Sequence, residues 1–131
     1  MKFVLDTNDH IAGFISHGAC NELVEYCAIN HEVVLSMFIL REFKQKLIHK
    51  FGFTAHEAES AVNLLESRFE VVTPLALTNP ICRDVDDDQV IGTALAGKCE
   101  FIVTGDKDLL DLQCVRQIRM ISPSCFWALE K

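Results

Sequence analysis

The stretch Lys2-Phe-Val-Leu-Asp-Thr-Asn8, running into His10-Ile-Ala-Gly-Phe-Ile15, decides how the rest of the chain is read. Its opening residues form a short apolar run of strand-forming character that stops at an acid. From His10 the apolar residues take up helical spacing until Gly18, so strand, turn and helix follow one another directly. The alternation then repeats. Leu23, Val24 and Cys27 make one stripe over Asn21–Ile29, and Glu32–Leu35 returns to strand. Ser36 caps a third helix over Met37–Phe51, in which Phe38, Ile39, Phe43, Leu47 and Ile48 follow the helical period. Thr54-Ala-His-Glu57 is a capping box that opens a fourth helix ending near Arg68. Glu70–Thr73 is a strand closed by Pro74, and Leu75–Arg83 is an extended connection. Asp86-Asp-Asp88 precedes a helix carrying Val90, Ile91, Ala94 and Leu95 and closed by Gly97. Glu100–Thr104 is a strand, Gly105–Asp108 a turn and Leu109–Leu112 a short helix. Ile118–Ile121 is the last strand, and Ser122–Glu130 a helix with Ser122 at N-cap and Pro123 at N1. Strands alternating with helices predict an α/β fold with a mainly parallel sheet covered on both faces.

The chain has 131 residues, half of them hydrophobic, which suits a single domain over 1–131 with no room for a second. Ordinary charged and aromatic content excludes a disordered or low-complexity chain. No apolar run approaches the roughly 20 residues that cross a bilayer, and Asp6 interrupts any signal sequence before its apolar stretch begins. The expectation is a cytoplasmic protein without membrane contact. Net charge is −7, from 19 acids against 12 Lys and Arg, which excludes nucleic-acid binding through a broad basic face and leaves only a local one. The cysteines at 20, 27, 82, 99, 114 and 125 form no C-x-x-C pair and have mostly apolar neighbours. They read as small core residues in a reducing compartment, without zinc or disulfides. The histidines at 10, 17, 31, 49 and 56 lack metal-ligand spacing and are expected at the surface or in caps.

In an open parallel sheet the functional crevice lies beyond the carboxyl ends of the strands. Acids gather there. Asp6 ends the first strand, Glu42 lies in the helix after the second, Asp88 opens the helix after the 74–85 connection, and Asp106 follows the Glu100–Thr104 strand. Carboxylates packed together repel and are driven to protonate unless a hard divalent cation sits among them, with Mg²⁺ or Mn²⁺ the natural choice. A plainer alternative is capping, since aspartate is favoured at helix N-termini in any protein. It accounts equally for Asp86–Asp88 taken alone and for Asp106 and Asp108 in a turn, and a solvated helix face accounts for Glu42. Asp6 is different, because an acid followed by Thr7 and Asn8 at the end of an apolar strand has no turn or pairing reason.

Four segments together resemble the PIN-domain family, which includes VapC-like ribonuclease toxins of toxin–antitoxin pairs. They are Phe3-Val-Leu-Asp-Thr-Asn8, Leu40-Arg-Glu42, Arg83-Asp-Val-Asp-Asp-Asp88 before Val90-Ile-Gly-Thr-Ala-Leu-Ala96, and Ile102-Val-Thr-Gly-Asp-Lys-Asp-Leu-Leu110. Each is weak alone, but their order and separation are specific and span nearly the whole chain. The resemblance implies a Rossmann-like α/β/α sandwich and carries the family's acidic quartet onto Asp6, Glu42, Asp88 and Asp106. Asn8 and Thr104 become supporting polar groups, with Asp87 and Asp108 as extra ligands. Asp88 is chosen over Asp86 by counting back from Ile91-Gly-Thr-Ala. Asp9 stands where the family usually has an aliphatic residue, and either adds charge beside the metal or caps the first helix.

The expected chemistry is metal-assisted hydrolysis of phosphodiester bonds in single-stranded RNA. Arg41, Lys44 and Lys107 lie near the acids in sequence and are the residues expected to steer phosphates past a negative protein. An antitoxin partner and self-association also follow from the resemblance. A phosphatase of the haloacid-dehalogenase kind would need a second acid where Asn8 stands. A catalytically degenerate module binding RNA or a partner is the alternative from a different class, and a purely structural domain leaves Asp6 unexplained. No G-x-x-x-x-G-K-[ST] loop supports nucleotide-triphosphate chemistry.

Overall fold

The computed structural model describes residues 1–15 and 19–130. The helix stop expected at Gly18, the surface role of His17 and the side chain of Cys20 lie outside the described residues. The elements in chain order are β1 (Lys2–Leu5), α1 (Thr7–Ile15), α2 (Ala19–Asn30), β2 (Glu32–Ser36), α3 (Met37–Phe51), α4 (Ala55–Arg68) and β3 (Glu70–Val72). After them come α5 (Val85–Ala96), β4 (Phe101–Val103), α6 (Lys107–Leu110), β5 (Cys114–Val115), β6 (Ile118–Ile121) and α7 (Pro123–Glu130).

The strands form one sheet in the order β3-β2-β1-β4-β6-β5. Every pairing is parallel except that of β5 with β6. Phe3 lies opposite both Val33 and Phe101, which fixes the register of the central strands. Successive side chains of a strand point to opposite faces, yet Phe3, Val4 and Leu5 are all buried, as are Phe101, Ile102 and Val103. Both faces of the sheet are therefore covered, as an all-apolar parallel strand requires.

The chain moves outward from β1 to β2 and β3, then crosses to β4 on the other side of β1. Strand order thus reverses at the β1–β4 seam, the point where doubly wound sheets open a crevice. Asp6 follows β1 and Thr104 follows β4, so the acids of both segments arrive at that crevice.

Local chemistry fixes the helices that frame it. The Ile39 N–H donates to Ser36 Oγ at 3.2 Å, which starts α3, and Gly52 ends it in the left-handed region with φ 72°. The capping box is formed: the Glu57 N–H donates to Thr54 Oγ1 at 3.1 Å and the Thr54 N–H to Glu57 Oε1 at 2.9 Å. Helix α4 buries Ala58, Ala61, Val62 and Leu65, one face at helical spacing. Gly92 on α5 is a point of close approach. The Leu75 N–H donates to the Gly92 carbonyl at 3.0 Å, and a Cβ at Gly92 would run into the Leu75 carbonyl oxygen.

Several expectations are corrected. Helix α1 starts at Thr7, straight after Asp6, and α6 starts at Lys107 instead of Leu109. Strand β5 was not anticipated; it forms a hairpin with β6 in which Arg116 and Gln117 carry φ of 47° and 73°. Cys27 and Cys99 are core residues, but Cys114 on the edge strand and Cys125 on α7 are exposed. His10 is fully buried, its ring 5.7 Å from that of Phe69.

Candidate active site

Thr104 is the hub of the crevice. It is fully buried, its hydroxyl donates to Asp6 Oδ2 at 2.8 Å, and the same oxygen accepts the Asp106 N–H at 2.9 Å. Asp6 Oδ1 accepts the Thr7 N–H at 2.7 Å, and the Asp6 N–H donates to the Val103 carbonyl at 3.1 Å. The seam between β1 and β4 thus continues one residue past the strands and fixes Asp6 and Asp106 relative to each other. Asp106 is also the N-cap of α6, its Oδ1 accepting the Asp108 N–H at 2.8 Å. The capping role weighed for it is present, and it leaves the other carboxylate oxygen free of that bond.

Asp87, Asp106 and Asp108 each offer a carboxylate oxygen, and these oxygens all lie within 4.8 Å of one another. The electrostatic strain registers on Asp87. Burial, and then the negative charges of Asp106, Asp84, Asp6 and Asp108, push its carboxyl up to about 6 from an ordinary 3.8. Arg83 offsets part of this charge through Asp108, Nη2 to Oδ1 at 3.1 Å, but its side chain is 89% exposed and the pair is weak. An all-carboxylate oxygen set under mutual repulsion suits a hard divalent cation such as Mg²⁺ or Mn²⁺ better than a soft one.

Asp88 is turned elsewhere. Its Oδ1 accepts the Cys82 N–H at 2.8 Å, and both its oxygens lie 3.3 Å from the Ile81 nitrogen. It pins the β3–α5 connection to the first turn of α5, and it is not among the three clustered acids. The N-cap of α5 is Asp84, whose Oδ1 accepts the Asp86 N–H at 2.9 Å, a role the sequence reading missed. Helical spacing explains the division. Asp88 stands one turn before Gly92, on the side that carries the connection, whereas Asp87 shares the stripe of the buried Val90 and Ile91 and faces the crevice.

Glu42 is half-buried on α3 and lies outside the acid trio. It lines a groove beside the crevice with Asp86. Asn8 does not face the acids alone, since its Oδ1 accepts from Lys46 Nζ at 3.1 Å. Of the residues expected to steer phosphates, Arg41 is exposed and lines the same groove, Lys44 is held by Glu59 at 2.6 Å, and Lys107 is exposed in α6. Lys46 was missed, and no sequence signal distinguishes it from its neighbours.

Asp9 neither joins the acid trio nor lies open to solvent. The residue is only 9% exposed, its Oδ2 has no partner, and burial followed by the Asp6 charge pushes its carboxyl up to about 7. Beside it His10 has no partner for either ring nitrogen, and burial pulls it down to about 4.

A sequence model described as PIN domain matches residues 2–108, and the chain belongs to the PIN-domain family. Its fold is similar to that of a chain of VapBC2 from Rickettsia felis, solved bound to a DNA fragment from its promoter. That match has a TM-score of 0.65 and 16% identity, and covers 93% of this chain and 98% of the other. Mycobacterium tuberculosis VapC20, a Sarcin-Ricin loop cleaving toxin, matches with a TM-score of 0.62 and 14% identity over 89% of this chain and 98% of its own. The PIN domain endonuclease Utp24 matches with a TM-score of 0.52 and 19% identity over 92% and 84%. At these identities the structural matches establish the fold. No curated protein sequence matches the chain. Among the described residues no helix is long and apolar enough to cross a membrane.

Proposed function

We propose that this protein is a metal-dependent endoribonuclease that hydrolyses phosphodiester bonds in single-stranded RNA, and that it is the toxin of a toxin–antitoxin pair. The observation that carries this reading is the convergence of Asp87, Asp106 and Asp108 beside Asp6 at the strand-order reversal of a PIN domain. Toxin function draws support from the similarity to VapC20 and to the VapBC2 complex. An antitoxin is accordingly the expected partner, and self-association is a further expectation.

Asp6, Asp87, Asp106 and Asp108 would hold Mg²⁺ or Mn²⁺. When bound, such an ion lowers the pKa of a coordinated water and balances charge growing on the phosphate. Thr104 holds Asp6 and Asp106 in register, so the acids need little rearrangement. Glu42, on α3, would orient the attacking water or hold a second ion. Asp88 positions the connection that carries Arg83 and Asp84. The phosphatase alternative lacks its second acid at Asn8, whose oxygen is occupied by Lys46.

The test is end-labelled single-stranded RNA incubated with chelator-stripped protein. Cleavage is expected on adding Mn²⁺ and not before. RNA that binds and stays intact at every metal concentration would favour the binding-module alternative.

A further inference from the structure

We infer that the groove along α3 is the track for the flank of the RNA strand whose scissile phosphate enters the acid cluster; this deepens the nuclease reading and rests on it. The groove has a volume of about 500 Å³ and is lined by Phe38, Arg41, Glu42, Lys46 and Lys50, with Asp86 opposite. None of the clustered acids lines it, but the segments that carry them do border it. Asp86 adjoins Asp87 in α5, and Lys46 binds Asn8, two residues beyond Asp6.

Charge says what the groove holds. On a chain of net charge −7, Arg41, Lys46 and Lys50 stand together on one helix. Lys2, Lys44, Arg68 and Arg83 each bind an acid, whereas Arg41 and Lys50 are exposed and enter no ion pair among the described residues. They match the phosphates of a polyanion, and the half-buried Phe38, which lines the same groove, is an aromatic ring on which a base can stack. Arg41 to Lys50 spans about 14 Å at 1.5 Å per helical residue. That length seats roughly two to four nucleotides of a single strand, given 3.4 Å per stacked nucleotide. An acidic peptide would also satisfy the cations, but the neighbouring carboxylates, which are proposed to hold the ion that acts on a phosphodiester, favour the nucleic acid.

The experiment measures binding of a fluorescein-labelled single-stranded RNA dodecamer by anisotropy in EDTA, where no cleavage is needed, and then KM and kcat with Mn²⁺. The double variant Arg41→Glu, Lys50→Glu is expected to raise Kd at least about tenfold, and to flatten the slope of log K against log salt by about 1.4, or 0.7 for each lost phosphate contact. KM should rise in parallel while kcat moves less than about twofold. Arg41→Gln, Lys50→Gln should fall between, and Lys98→Glu, a single charge reversal beyond the end of α5, should shift Kd by less than twofold. The inference is overturned if the double variant binds RNA no worse than Lys98→Glu, or if poly-glutamate competes for the groove while RNA does not. The two readings fail separately. Mn²⁺-dependent cleavage with unchanged KM in the double variant removes the track and keeps the nuclease, whereas groove-dependent binding without any cleavage does the reverse.

Discussion

The Thr104 hydroxyl donates to Asp6 Oδ2 at 2.8 Å, and this bond joins the ends of β1 and β4 at the seam where strand order reverses. The same oxygen accepts the Asp106 N–H, so one buried hydroxyl sets the spacing of two acids from distant segments. Thr104→Val keeps the shape and removes both bonds. It should cost about 1–3 kcal/mol in urea unfolding, the usual penalty for stranding buried partners. Cleavage should drop about 10–100-fold, as when a group that orients metal ligands is lost. Thr104→Ser should recover most of both, and a variant as inactive with Ser as with Val would remove the hydroxyl from the account.

Asp87 and Asp88 are adjacent and should part in opposite directions. Asp87→Asn relieves repulsion in the crevice, so it should raise the melting temperature of the chelator-stripped protein near pH 7 and abolish the further rise that Mn²⁺ gives the wild type. That rise is mass action, about 2.7 kcal/mol at a hundred times Kd. Asp88→Asn turns an amide toward the Ile81 and Cys82 N–H groups. It should destabilise the fold by about 1–2 kcal/mol, seen as a lower melting temperature, and keep the Mn²⁺ response. Differential scanning calorimetry with and without Mn²⁺ reads both, and a Mn²⁺ response lost only in Asp88→Asn would reverse the assignment.

Asp9 gives a pH signature. Its folded-state pKa is raised from 3.8 to about 7, so its contribution to stability is present below pH 4 and is lost as pH climbs through 7. His10 acts with the opposite sign, its lowered pKa of about 4 giving stability that is lost on acidification, and is common to wild type and variant. The difference between Asp9→Asn and wild type should therefore be small near pH 4, grow up to pH 7 and then level off. The ceiling is about 4 kcal/mol at 1.36 kcal/mol per pKa unit. A difference that is flat with pH would mean that Asp9 ionises freely in the fold.

Gly92 is a packing test of the connection that carries Arg83 and Asp84. Gly92→Ala drives a methyl into the Leu75 carbonyl and should cost about 1–3 kcal/mol or more in thermal unfolding. Gly105→Ala, with nothing within 4 Å of its added Cβ, should stay within about 0.5 kcal/mol.

What the sequence made legible was what short-range chemistry decides. The Thr54–Glu57 box, the Ser36 cap and the all-apolar Phe3-Val-Leu5 strand each announce themselves within a few residues. Strand β5 did not, because its turn places Arg116 and Gln117 at positive φ where Asn-Gly would have advertised the hairpin. His10 looked like a surface residue because its burial depends on Phe69, far along the chain. Counting residues chose Asp88 for the quartet and named Asp87 only as an extra ligand, whereas Asp87 is the one that clusters with Asp106 and Asp108. Consecutive helical positions point about 100° apart, and which one meets Asp106 is set by where the distant Leu75–Arg83 connection packs. Asp84 as N-cap was hidden for the same reason, since three further acids follow it.

Asp6, Asp87, Asp106 and Asp108 are proposed to hold the divalent ion on which RNA cleavage depends. The most direct measurement is the rate of single-stranded RNA cleavage by chelator-stripped wild type and Asp87→Asn across a Mn²⁺ titration, with Asp111→Asn as control. The account predicts no cleavage without metal, saturable cleavage by wild type and Asp111→Asn, and none above background by Asp87→Asn although it melts cooperatively. Equal cleavage by wild type and Asp87→Asn, or cleavage indifferent to Mn²⁺, would contradict it.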